Sequence, residues 1–134
     1  MKTFNKIVAS CKTGVILFCV LFIISAISCT KPGLGGKTTL VCSVAHHGMA
    51  IPVAMVYIKY GVKESPGSNV SSYDDHKTAA NNSNIVKFSD LQIGDYYLYA
   101  TGYDTSISES VSGGIPVNIS KKSGEVDIDV PVAE

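Results

Sequence analysis

The sequence contains no arginine, and its 11 lysines are scattered rather than gathered into a patch. Phosphate backbones need a clustered basic surface, so nucleic acid is not an expected partner. Acidic residues are missing from the whole N-terminal part: none precedes Glu64. The formal net charge of zero is therefore a composite, because without residues 1–28 eight lysines face 11 acidic residues and the remainder is mildly acidic. Cysteine is scarce. Of the four, Cys11 and Cys19 fall in the N-terminal segment, and a bond between Cys29 and Cys42 would only tie down a short connecting stretch. The disulfide framework of small exported domains is thus not expected. Helical periodicity is absent beyond the N-terminal segment, and no nucleophile–base motif of a hydrolase occurs, so an enzyme is not expected.

One apolar block is present. Gly14 to Ile27 reads GVILFCVLFIISAI, preceded by Lys2, Lys6 and Lys12 and followed by Ser28, Cys29 and polar, glycine-rich sequence. This is the layout of a secretory signal helix. A spanning helix needs about 20 apolar residues, which makes an anchor the physically weaker alternative. Ser25-Ala26-Ile27-Ser28 before Cys29 resembles a lipobox, the signal in which a cysteine thiol is acylated and becomes the first residue after cleavage. Ser28 and Cys29 match that pattern, while Ala26 stands where leucine is usual. Three alternatives stay open: a lipid on Cys29, an ordinary signal peptide, and an uncleaved anchor. The lipid reading predicts a signal at 1–28, a flexible tether at 29–36 that holds the domain up to ~25 Å from a membrane, and a folded domain at 37–134. It places the protein in the cell envelope, with the outer membrane expected.

Past the tether, alternation with period two dominates, the mark of strands with one face buried. Leu40, Cys42 and Val44 alternate with Thr39, Val41 and Ser43. Ala54, Val56, Ile58 and Tyr60 share one face of the next segment. Tyr96, Leu98 and Ala100 share a face, with Tyr97, Tyr99 and Thr101 on the other. Val126, Ile128 and Val130 oppose Glu125, Asp127 and Asp129. Weaker strands are predicted at His76 to Ala80, Ile85 to Phe88 and Ile115 to Ile119, giving roughly seven strands separated by Gly, Asn, Ser and Pro clusters. With no helix to cover its apolar face, a sheet must pack on a second sheet. The expected fold is all-β: a small antiparallel seven-stranded β-sandwich, immunoglobulin-like in general architecture.

Specific residues narrow this further. Pro52, Ala54, Val56 and Ile58, followed by Phe88-x-x-Leu91-x-x-Gly94-x-Tyr96-x-Leu98-x-Ala100 and then Gly102-Tyr103, resemble the carboxypeptidase regulatory-like domains, which have a transthyretin-like (prealbumin-like) sandwich. The resemblance spans about Lys37 to Val132 and departs from the family at Asn81-Asn82-Ser83-Asn84, where an Asp and a Gly are frequent. It implies noncatalytic work: assisting folding, bracing a neighbour, or making contacts at the cell envelope.

Candidate functional residues follow from these faces. His46-His47 and Asp74-Asp75-His76 carry ligand chemistry, but their spacing matches no metal pattern, and both read as polar turns on a solvated rim, so no metal and no cofactor is expected. Cys42 reads as a buried hydrophobe, too far along a strand from His46 to form a nucleophile–base pair. The acidic row Glu125, Asp127 and Asp129 reads as a solvated or edge-protecting face. Tyr57, Tyr97 and Tyr99 point away from the core and form a candidate contact surface for a protein of the envelope or for a glycan. Their bland alternative is cross-strand stabilisation of an open sheet face.

Overall fold

The structure, a computed structural model, describes residues 31–134. The signal segment and Cys29 lie outside the described residues. Eight strands follow one another: β1 (Leu34–His46), β2 (Met49–Ala50), β3 (Met55–Tyr60), β4 (Asp75–Thr78), β5 (Ile85–Leu91), β6 (Gly94–Asp104), β7 (Glu109–Ile119) and β8 (Gly124–Pro131). Among the described residues the only helical piece is a 3-10 turn at Val70–Ser72, consistent with the lack of helical periodicity.

The strands form two sheets packed face to face as an all-β sandwich. In the first, β1 pairs antiparallel with β5 and β2, and parallel with β8. The second runs β4-β3-β6-β7 and is antiparallel throughout. Two details differ from a seven-stranded antiparallel sandwich. The two-residue strand β2 follows β1 through a tight turn in which His47 and Gly48 both have positive φ, +48° and +80°, the geometry that two-residue hairpin loops favour. The last strand, β8, comes from β7 of the opposite sheet rather than through a hairpin with β1, so nothing obliges it to run antiparallel. Strand order of this kind is not encoded in alternation.

Inward parity is as the alternation predicts. Leu40, Cys42 and Val44 from β1, Val56 and Ile58 from β3, and Tyr96, Leu98 and Ala100 from β6 are all fully buried in one cluster. Each large aliphatic side chain so buried contributes roughly 1.5–3 kcal/mol. Phe88 and Leu91 close this core, Gly94 turns the chain with φ +144°, and Tyr96 and Leu98 re-enter it. Asn82 takes φ +61° in the loop that departs from the family pattern, a conformation asparagine tolerates.

The stretch read as a tether behaves differently in its second half. Leu34 to Gly36 already belong to β1, and Gly33 is buried. The cause is Tyr96, whose hydroxyl accepts from Gly33 N–H at 2.9 Å and donates to the Gln92 carbonyl at 2.7 Å. A buried hydroxyl needs such partners, and it finds one of them in the segment ahead of β1. The folded unit therefore begins before Lys37.

Candidate functional site

Two places combine chemically active side chains: the outward face of the second sheet, and one rim of the core. On the outward face, register sets the first row. His76 of β4 lies opposite Tyr57 of β3, which lies opposite Tyr99 of β6, which lies opposite Gly114 of β7. Tyr57 stacks on His76 with ring centroids 5.6 Å apart and lies 6.1 Å from Tyr99. Tyr73, from the loop before β4, completes the cluster: it stacks on Tyr99 at 5.7 Å and meets Tyr57 at 5.8 Å. Its hydroxyl donates to the Gly67 carbonyl at 2.9 Å, so the loop holds the ring in place. Desolvation raises the Tyr73 pKa above 10.0.

The next row holds Lys59, Tyr97 and Pro116. Tyr97 lies across Gly114, where a Cβ would come within 2.9 Å of its ring and 2.4 Å of the Leu98 carbonyl oxygen. A side chain at 114 would lift the tyrosine and push the strands apart. All three tyrosines predicted to face outward do so, each half-buried by its neighbours, and the structure brings Tyr57 and Tyr99 together. Tyr73 escaped sequence reading because it belongs to a loop and has no strand parity. Beside this face, Asp74 binds Lys59 Nζ at 2.8 Å and accepts the Tyr60 N–H at 2.7 Å. Asp74 and His76 thus brace the aromatic face.

At the rim, the inward row of β1 continues one step past Val44 to His46, which is 4% exposed. The inward row of β6 likewise continues past Ala100 and Gly102 to Asp104, also 4% exposed. The two rows come from opposite sheets and end at the same rim, where His46 Nδ1 and Asp104 Oδ2 are 2.8 Å apart. His46 is therefore not on a solvated turn as the sequence suggests. It closes the core, and its burial is supported at Nδ1 by the bond to Asp104.

On the other side of the ring, His46 Nε2 lies 2.8 Å from Glu134 Oε2, an ion-pair distance without the alignment of a hydrogen bond. The Ser112 and Ala133 backbones bond reciprocally at 2.8 and 3.0 Å and bring that glutamate to the rim. His47, in the β1–β2 turn, leans on His46 with ring centroids 4.3 Å apart.

Electrostatics follow from this placement. The Asp104 hydrogen bond raises the His46 pKa above 6.5 against the opposing effect of burial, and Glu134 adds to the rise. Asp104 is lowered to about 2, first by the Ser106 hydroxyl at 2.6 Å and then by His46. Glu134 is lowered by its own backbone N–H and by His46. Cys42, on the same inward row, is pushed up to about 12 by burial, and a thiol so held is not a nucleophile. On the outside of the first sheet, Glu125 pairs with Lys87 at 2.8 Å across β1.

No family profile matches the chain, and no curated protein matches it. Among solved structures, the chain is similar to the major pilin subunit of Bacillus cereus at 14% identity and a TM-score of 0.43, over 71% of this chain and 30% of that one. The chain thus spans less than a third of that protein's length, and the likeness carries no inference about activity.

Proposed function

We propose that the chain is a noncatalytic module of the cell envelope, held at a membrane by lipid on Cys29, whose second sheet docks a protein partner on its outward face. The observation that carries this reading is the convergence of Tyr57, Tyr73 and Tyr99 with His76 on that face. Tyrosine supplies large contact area with few rotatable bonds and a polar tip, which is why it is enriched at protein interfaces. The burial of Cys42 removes the one thiol that the described residues could offer to catalysis. The resemblance to carboxypeptidase regulatory-like domains supports the same noncatalytic role.

Crosslinking in a membrane fraction tests the contact. The wild-type chain captures an envelope protein, and the double variant Tyr57→Ala, Tyr99→Ala loses it while remaining folded, because outward cross-strand pairs contribute only about 0.2–1 kcal/mol each. Equal capture by both proteins would refute this face as the docking surface. Intact mass tests the anchor: a diacylated or triacylated chain beginning at Cys29, absent in Cys29→Ser, is expected, and a full-length mass without lipid would replace the tether with an uncleaved anchor.

A second reading, a carbohydrate-binding or adhesive surface, draws on Tyr97, whose ring lies over a residue without a side chain. It predicts glycan binding that Tyr97→Ala and Tyr99→Ala abolish; a glycan panel unchanged by both substitutions excludes it.

A further inference from the structure

We propose that His46, His47 and Glu134 form a binding site for a single first-row divalent transition ion, for which zinc is the test ligand. One ligand atom from each of the three lies within 4.8 Å of the others. A neutral imidazole and a carboxylate are the donor types that such ions take. Two histidines and one glutamate leave a fourth, outward position for water.

The orientation of His46 carries the inference further than proximity does. Asp104 faces Nδ1 at 2.8 Å, and a carboxylate at that nitrogen fixes the ring proton there. Nε2 is then the nitrogen left to a metal; it is buried, makes no aligned hydrogen bond, and lies 2.8 Å from the Glu134 carboxylate. Two such atoms that close need a positive charge, which a proton supplies in the free chain and which a metal ion, displacing that proton, supplies on binding. A carboxylate behind a histidine whose other nitrogen is left for a ligand is the outer-shell arrangement that orients metal-binding imidazoles.

His47 supplies the third ligand because its positive φ turns it back against His46. Its side chain and that of Glu134 are exposed and free to rotate, so ligand atoms can settle at the ~3.4 Å spacing that bonds of about 2.1 Å to a tetrahedral ion impose. A bound ion would fasten the β1–β2 turn to the residues after β8, reinforcing the backbone bond from Val132 N–H to the Ala45 carbonyl at the end of β1.

The test is zinc titration of the full chain in detergent, without a histidine tag and with exposed thiols alkylated, read by calorimetry and by imidazole nitrogen NMR. One zinc binds, and His47→Asn and Glu134→Gln each weaken it by at least ~10-fold. His47→Asn keeps the turn, since asparagine is at home at positive φ, so its effect is not one of misfolding. The His46 Nε2 resonance shifts on binding while Nδ1 keeps its proton toward Asp104. Failure of the wild-type chain to bind, binding unchanged in either variant, binding abolished by His76→Gln instead, or metal on Nδ1 would each overturn the proposal.

Discussion

The two ends of the sandwich are closed by the same device in different chemistry. Both closures begin on the inward row of β6, at Tyr96 near one end of the strand and at Asp104 at the other. Tyr96 reaches the segment ahead of β1 through a neutral hydroxyl bonded to Gly33 and Gln92 backbone groups. Asp104 reaches the end of β1 through an ion pair with His46. A neutral tie to backbone atoms is indifferent to salt, and to pH below the range in which the phenol ionises. An ionic tie depends on two protonation states, and its imidazole keeps a second nitrogen for another partner. One closure serves as a permanent latch, and the other can be switched or reinforced.

Breaking each tie separates them. Asp104→Ala has the largest effect on stability, because it takes from the buried His46 imidazole its partner at Nδ1, and removal of one partner of a buried pair strands the other. Chemical denaturation shows a greater loss for this variant than for Tyr96→Phe. The latter costs about 1–3 kcal/mol, since the Gly33 N–H and the Gln92 carbonyl lose a buried partner while the ring still fills its place. An equal or larger loss for Tyr96→Phe would mean that the ionic closure adds nothing beyond packing.

Dependence on pH sharpens the contrast, measured with a chelator present so that no metal competes for His46. His46 has a raised pKa in the folded protein, so its contribution is fully present below 6.5 and is lost as pH rises through the raised value. Asp104 has a lowered pKa, so its contribution is present above 3.8 and is lost as pH falls through about 2. The Asp104–His46 tie thus holds best between these limits. Below pH 10, Tyr96→Phe should lower the denaturation midpoint without changing the shape of its pH profile, whereas Asp104→Ala should shrink the alkaline decline due to His46 to the part that Glu134 sets. A Tyr96→Phe profile of altered shape would show that the two ends are coupled.

Much of this architecture is legible in alternation. Leu40, Cys42 and Val44, and Tyr96, Leu98 and Ala100, announce their buried faces, and the same parity sends Tyr97 and Tyr99 outward. The rim was not legible, although one signal was present: His46 and Asp104 continue the inward rows of their own strands, one step past Val44 and two past Ala100. Parity says that each side chain points inward but not that two rows from different sheets stop at the same edge. That requires the strand order, including the parallel pairing of β1 with β8 and the Ser112–Ala133 bridge that delivers Glu134. Polar residues at the ends of apolar rows read as turns for as long as the opposing sheet is unknown. Tyr73 was missed for a related reason, because a loop has no parity to read.

The smallest expected effect probes what sets the Asp104 charge. Ser106 donates both its hydroxyl, at 2.6 Å, and its N–H, at 2.8 Å, to Asp104 Oδ1, while His46 binds the other oxygen. The hydroxyl is the largest influence holding the carboxylate down to about 2. Ser106→Ala removes it and leaves the N–H and the imidazole in place, so the Asp104–His46 tie survives with a less acidic carboxyl group. The folded pKa of Asp104 then moves up toward 3.8, and the acid decline in stability, which still starts near 3.8, becomes smaller and ends at higher pH, while the alkaline decline set by His46 stays nearly where it was. Chemical-shift titration of the Asp104 carboxyl carbon measures this directly. An unmoved acid limb would assign the lowered value to His46, and the Ser106 hydroxyl would then be satisfying a geometric need of the turn rather than tuning the charge.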